Sequence, residues 1–267
     1  MKPQLSIIIC GFMGRMGQAI SKLAEQDGNM QIVGATIRSS SGKTNKKAGV
    51  FLSESLEEVI AKANSDLVKP IIIDFSSANS TILHAQIAMK YKLPLIVGST
   101  GLKDAQISAL QKAAEKIPVL FSSNMSLGAN VLFALASFTA RLLGGADVEI
   151  SEIHHSGKKD CPSGTALNLA KMVAEARNQD IKKHLVLNRN SQELRKPGEI
   201  GVVGLRGGST KGDHSVYFFS ENESIELKHH VDDPRVFAQG ALKAAWYLAL
   251  QKPGLHNMMD VLGIKTL

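Results

Sequence analysis

The residues of this chain best suited to chemistry lie in one run of fifteen: Glu152-Ile153-His154-His155-Ser156-Gly157-Lys158-Lys159-Asp160-Cys161-Pro162-Ser163-Gly164-Thr165-Ala166. Imidazole titrates near neutral pH, so His154 or His155 can pass a proton. Lys158, one short loop away, can hold an anionic group or donate a proton itself. Pro162 suits the first turn of a helix, and Ser163, Gly164 and Thr165 then offer unpaired backbone amides and hydroxyls at its positively polarised end, a seat for a carboxylate or phosphate. Ala166, Leu167, Leu169, Ala170, Met172 and Val173 follow at helical spacing. A solvated strand end before a capped helix would account for any one of these residues. The set points to a site for a small, multiply negative molecule.

A second constellation stands near the N-terminus. Gly11-Phe12-Met13-Gly14-Arg15-Met16-Gly17 follows the apolar run Leu5 to Cys10 and opens a helical pattern through Ile20, Leu23 and Ala24. Glycines so placed permit a tight turn, let backbone approach a pyrophosphate, and let helix and strand pack closely. A fold that uses NAD usually carries an acid about twenty residues further on, for the ribose hydroxyls. Here that place reads Ala35-Thr36-Ile37-Arg38-Ser39-Ser40, with no carboxylate. Arg38, Ser39, Ser40 and Lys43 can instead grip a 2′-phosphate, and Arg15 can stack on or pair with the same end. This predicts NADPH in preference to NADH. Gly98-Ser99-Thr100-Gly101, after the strand Leu95 to Val97, is where a doubly wound sheet places ligand loops and is assigned to the nicotinamide end; an ordinary strand-to-helix turn is the alternative.

The elements that must position these residues alternate strand and helix through the first half. Gln31 to Ile37, Ile71 to Phe75, Leu95 to Val97 and Val119 to Phe121 read as strands. Ser53 is expected to cap a helix through Leu56 and Ile60, and Ser80 to Met89 and Lys103 to Glu115 read as helices. Fully apolar strands in βα units mean a parallel sheet covered on both faces, a Rossmann-like doubly wound α/β domain. After about Asn124 the pattern changes. A helix from Leu127 to Leu143 and a strand from Val148 to Ile153 lead into the active run, whose helix continues to about Arg177. Candidate strands follow at Val202 to Leu205, Val216 to Phe219 and Ser224 to His230. Successive strands indicate an α+β domain with a mixed sheet. A last helix, Pro234 to about Gln251, is expected to return to the first domain. The expected boundaries are 1–126 with 235–267 for nucleotide binding, and 127–234 for substrate binding and oligomerisation.

Composition narrows the partners. The 267 residues are 44% hydrophobic with mean hydropathy near zero, as in a soluble globular protein. No apolar run approaches the roughly eighteen residues that span a bilayer. Met1-Lys2 ahead of Leu5 to Cys10 superficially resembles a signal sequence, but the run is short and leads into the glycine turn. A net charge of +7 suits anions. Scattered basic residues, a single Arg206-Gly207-Gly208 and 5% aromatics argue against nucleic acid. Cys10 and Cys161 have neither metal-ligand nor redox-pair spacing, which predicts no metal site and a reducing, cytoplasmic compartment. Cys10 reads as core, and Cys161 as filler rather than nucleophile.

Taken together, the chain closely resembles the 4-hydroxy-tetrahydrodipicolinate reductase (dihydrodipicolinate reductase) family. The likeness is carried by the Gly11 to Gly17 turn, Asp74-Phe75-Ser76, Gly98-Ser99-Thr100-Gly101, Ser123 to Asn130, Phe237-Ala238-Gln239-Gly240-Ala241 and above all the H-H-x-x-K-x-D-x-P-S-G-T-A signature starting at His154. The resemblance implies that His154 is the proton donor or acceptor, Lys158 the catalytic lysine, His155 a substrate contact and Gly164-Thr165 the carboxylate-binding turn. On the cofactor side it implies Gly11 to Met16, the position of Arg38, Gly98 to Thr100, and Ser122, Ser123, Asn124 and Met125. It further implies reduction of a cyclic dicarboxylate in the diaminopimelate route to lysine, use of NADH as well as NADPH, and a homotetramer built on the second domain's sheet. The chain departs from the family pattern at Arg38, where many relatives have an acid, and at Cys161. Arg235 lies one residue closer to Phe237 than in some relatives, so no cofactor role is carried over to it. The rival readings are another two-domain amino-acid-pathway dehydrogenase and an NADPH-sensing regulator. The first leaves the His-His-x-x-Lys and Ser-Gly-Thr combination unexplained, and the second leaves the histidine and lysine without a role.

Overall fold

A computed structural model describes residues 5–38, 50–63, 69–189 and 194–264. The chain divides into two compact units, one of Met1–Ser126 with Phe237–Gly263 and one of Leu127–Val236 with Ile264–Leu267. In order, the elements of the first part are β1 (Leu5–Cys10), α1 (Arg15–Asp27), β2 (Met30–Thr36), β3 (Phe51–Ser53), α2 (Leu56–Ala63), β4 (Ile71–Asp74), α3 (Ala78–Tyr91), β5 (Leu95–Val97), α4 (Asp104–Ala114) and β6 (Pro118–Phe121). The second unit holds α5 (Leu127–Leu142), β7 (Asp147–His154), α6 (Gly164–Ala176), α7 (Ile181–His184), β8 (Leu185–Leu187), β9 (Ile200–Arg206), β10 (Asp213–Phe219) and β11 (Ser224–His230). The chain closes with α8 (Arg235–Leu248), β12 (Gly254–His256) and α9 (Met258–Val261). Among the described residues no helix is long and apolar enough to cross a membrane.

The first unit is a seven-stranded sheet in the order β12-β6-β5-β4-β1-β2-β3, parallel throughout. Every residue of β1 and β4 is buried, as strands covered on both faces must be. β1 pairs with β2 on one side and β4 on the other, so the order reverses there and opens a crevice at the strands' carboxyl ends. α1 ends at Gly28, whose φ of 64° only glycine adopts freely. One expectation fails locally. Ser53 ends β3 instead of capping α2, and its hydroxyl accepts the Ser55 amide at 3.1 Å. Ser55 is the cap, accepting the Glu58 amide at 3.3 Å. The choice between two serines two residues apart depends on where β3 stops pairing with β2, which the local sequence does not encode.

The second unit is a mixed five-stranded sheet in the order β11-β10-β7-β9-β8. β10 runs antiparallel to β7 and β11, whereas β9 runs parallel to β7 and β8. Both parts of the expected fold class therefore hold. α5 and α6 pack on each other, and α6 on β7, β9 and β10. Along β7 every second residue, Val148, Ile150, Glu152 and His154, is buried, so one face of the strand ends in a carboxylate and an imidazole. That face positions the site.

Candidate active site

Glu152 has no exposed surface, and a carboxylate so buried requires partners. Its Oε2 lies 2.5 Å from His154 Nδ1. Arg206 donates to both oxygens through Nη1 and Nη2 at 2.9 and 2.8 Å, and Oε1 accepts the Ser163 amide at 2.9 Å. Gly204, facing Glu152 across the β7–β9 pairing, leaves the space: a Cβ there would stand 2.7 Å from Oε1. Burial raises the Glu152 carboxyl, but the hydrogen bonds from Arg206, His154 and the Ser163 amide outweigh it and hold the group below its ordinary range. His154 moves down as well. Burial lowers it, Glu152 opposes, and the charges of Lys158 and Arg206 add to the lowering. With an ionised carboxylate at Nδ1, the neutral ring carries its hydrogen there, and Nε2, beside Gly212, has no hydrogen-bond partner among the described residues.

The chain turns away after His154. The Gly207 amide donates to His154 O at 2.9 Å, and the Lys158 amide to His155 O at 3.1 Å. Lys158 Nζ donates to Asp160 Oδ1 at 2.8 Å with its side chain 23% exposed, so the ammonium is steadied yet reachable. His155 is half-buried, and Cys161 is exposed with its thiol directed at Gly204 O. The run then delivers Ser163 as the N-cap of α6, its hydroxyl accepting the Ala166 amide at 3.2 Å. The expectation that Ser163 offers a free amide and hydroxyl is corrected. The amide is held by Glu152, and the hydroxyl also pairs with His214 Nε2 at 3.0 Å. Gly164 is exposed with open space where a side chain would be, Thr165 is half-buried, and no acidic residue occupies the first turn of α6. Glu152 already holds the cap amide, and beyond it the first turn of α6, with no acid of its own, stays polarised toward an anion.

His214 carries no signal in the sequence alone. It comes from β10, opposite Glu152, and meets the His154 ring edge-on with centroids 5.2 Å apart. Burial, reinforced by the charge of His154, depresses its pKa to about 4. Because the unfolded side chain titrates near 6.5, the unfolded state takes up the proton first. Stability is full above that pH and is lost as pH falls toward about 4, on the order of 3 kcal/mol in all. Thermal unfolding at about pH 7 and about pH 4.5 should therefore show a smaller acid-induced drop in His214→Gln than in the parent; equal drops would remove His214 from the acid response.

The predicted nucleotide residues of the first unit lie along one edge of its sheet. The loops after β6, β5, β4, β1 and β2 carry Ser122, Gly98, Phe75, Gly11 and Arg38 in that spatial order. Gly11 has φ 82°, and a Cβ on it would stand 2.8 Å from Phe75 O. No side chain caps the start of α1 at Gly14, and Arg15, Arg38 and Thr100 are exposed. A glycine turn closed to side chains ahead of an uncapped helix start fits a pyrophosphate. Phe12 is buried and Met13 and Met16 are half-buried. Ser99 is buried, and its hydroxyl has no partner among the described residues. Ser122 Oγ donates to Asn124 O at 2.7 Å, and Asn124 Oδ1 accepts the Ser126 amide at 2.9 Å. The loop through exposed Ser123 to buried Met125 is thus shaped by its own side chains. Ser39, Ser40 and Lys43 lie outside the described residues. Sequence reasoning also passed over the buried Asp74–His84 pair, 2.7 Å apart, in which Asp74 Oδ1 accepts the Ser76 amide at 2.8 Å and braces the loop under Gly11.

The family model described as "Dihydrodipicolinate reductase, N-terminus" matches residues 5–125, and "Dihydrodipicolinate reductase, C-terminus" matches residues 128–262. The 4-hydroxy-tetrahydrodipicolinate reductase of Myxococcus xanthus is 40% identical over 269 residues, 97% of each chain. That of Zymomonas mobilis is 42% identical, covering 97% of this chain and 98% of the relative. Among solved structures, dipicolinate-bound dihydrodipicolinate reductase from Paenisporosarcina sp. TG-14 superposes with a TM-score of 0.80 over 96% of this chain and 98% of that one, at 23% identity, a likeness of fold. With both units matched and full-length relatives at this identity, the chain belongs to the dihydrodipicolinate reductase family.

Proposed function

We propose that the protein reduces 4-hydroxy-tetrahydrodipicolinate to tetrahydrodipicolinate with a reduced pyridine nucleotide, a step of the diaminopimelate route to lysine. The observation that carries this reading is the grouping of His154, oriented by Glu152, with Lys158 and the start of α6 on one strand, loop and helix. The amides of Gly164 and Thr165 at the helix start seat one carboxylate of the substrate, and the Lys158 ammonium and His155 hold the rest of its charge. Ser163 acts behind them, fixing the helix start through its cap.

The 4-hydroxyl leaves as water to give the conjugated ring, and the reduced nucleotide, when bound, would supply a hydride to a carbon of that ring. His154 Nε2 or Lys158 Nζ then delivers the proton that completes the reduction. Burial shifts the free imidazole toward its neutral form, and the negative charge of a docked dicarboxylate raises its proton affinity, favouring the charged, donating ring as the substrate arrives. Gly11, Phe12, Met13, Gly14, Arg15 and Met16 hold the pyrophosphate. Gly98, Ser99 and Thr100, with Ser122 to Met125, receive the nicotinamide end. Arg38, aided by Ser39, meets the 2′-phosphate, so NADPH is preferred and NADH is the weaker alternative.

Val203 and Leu205 on β9 and Phe219 on β10 are 39%, 50% and 44% exposed, on the sheet face opposite the buried Val202 and Phe218. This supports self-association through that face, and with the family resemblance the expected assembly is a homotetramer, which sedimentation tests. The activity is tested by following nucleotide oxidation with freshly generated substrate. Substrate-dependent oxidation with a higher kcat/KM for NADPH is expected. Equal or better efficiency with NADH overturns the role of Arg38, and no oxidation with either nucleotide overturns the reductase reading.

A further inference from the structure

We infer that Glu152 and Arg206 are positioning residues for His154: the carboxylate fixes which ring nitrogen is left free, and the guanidinium fork limits how tightly that carboxylate holds the protonated ring. The inference rests on the reading of His154 as the proton carrier. Neither residue is one the substrate has to touch. Glu152 is wholly buried, and both Arg206 Nη atoms are engaged by its two oxygens.

The geometry assigns the roles. Glu152 binds one group on its own strand, one on β9 and one at the start of α6, namely His154 Nδ1, the Arg206 fork and the Ser163 amide. A single carboxylate thus ties the proton carrier to the turn that seats the substrate carboxylate, and a shift in one moves the other. With Nδ1 committed, the ring can exchange a proton only at Nε2. A buried carboxylate alone beside an imidazole would hold the imidazolium strongly and make it a reluctant donor. Arg206 shares that carboxylate through a bidentate fork, the strong geometry for such pairs, and is itself anchored to the Asp160 carbonyl. The remaining charged or titratable groups acting on the ring are His214 from β10 and Lys158 from the loop; Asp160 and Cys161 act on Arg206, and Asp213 of β10 and His229 of β11 on His214. Among the described residues, Glu152 is the one that hydrogen-bonds the ring.

The two residues should push His154 in opposite directions, which a purely structural role would not do. Nitrogen-15 NMR of histidine-labelled full-length protein reads the His154 titration directly, and the pH profile of kcat/KM reads it through activity. Glu152→Gln keeps the shape and removes the charge, so the His154 midpoint should fall by about one unit; Arg206→Gln should raise it by about one unit. The double variant should lie between them, and it supplies the Arg206 effect by comparison with Glu152→Gln should Arg206→Gln fail to fold. Midpoints that stay put, or move the same way in both single variants, overturn the inference. Opposite NMR shifts with an unmoved pH–rate profile uphold the pair's hold on the imidazole and instead remove His154 from proton transfer.

Discussion

Alanine at position 154 lowers turnover by at least about a hundredfold, the scale of a lost acid–base group, while nucleotide affinity is unchanged. The substitution removes the ring proposed to carry the proton but leaves Glu152 paired with the Arg206 fork and the Ser163 amide, so the start of α6 keeps its place. Substrate still docks, and the loss falls on kcat. Alanine in place of Lys158 removes an ammonium steadied, among the described residues, by Asp160 alone, and with it both a charge for the substrate and a candidate donor. Turnover falls by at least about a hundredfold here too, but KM rises with it. Steady-state kinetics with a parallel nucleotide titration separates the two, and unimpaired turnover in either variant excludes that residue from proton transfer.

The second large effect is at the glycine turn. A Cβ on Gly17 would stand 2.5 Å from Gly11 O, 2.6 Å from Phe12 O and 2.7 Å from Phe12 Cα. All three are backbone atoms of the turn itself, so no side-chain rotation relieves the clash. In Gly17→Ala, α1 must slide or the turn must open, at a cost of about 1–3 kcal/mol for such overpacking. Because the displaced backbone is the one assigned to the pyrophosphate, that cost appears as a roughly ten- to hundredfold weaker nucleotide affinity. Dicarboxylate binding to the other unit should not change. Isothermal titration of each ligand checks both halves, and a Gly17→Ala variant that binds nucleotide like the parent contradicts the assigned role of the turn.

Much of this was legible in the sequence because it is local. β1 and β4 read as strands from isoleucine runs alone, and the glycine turn declared itself by its place between strand and helix. His154, Lys158 and the α6 start lie within a dozen positions of each other. What was missed depends on register. Glu152 looks like an ordinary strand residue until β9 and β10 set Gly204 and His214 beside it and carry Arg206 to its carboxylate. Ser163 was legible as a cap, but that its amide is already held by a carboxylate eleven positions earlier follows only from the fold. The strands β3, β8 and β12 span three residues each, as β5 does, but unlike the wholly buried β5 they are partly exposed sheet-edge segments that exist because a neighbouring strand offers an edge.

The account stands most directly on where a ring dicarboxylate binds. A crystal structure of the protein with a nucleotide and an unreactive cyclic dicarboxylate should show one carboxylate on the amides of Gly164 and Thr165 and the ring within about 3 Å of His154 Nε2 or Lys158 Nζ. A ring diacid lodged away from residues 154–165, with those side chains untouched, would contradict it.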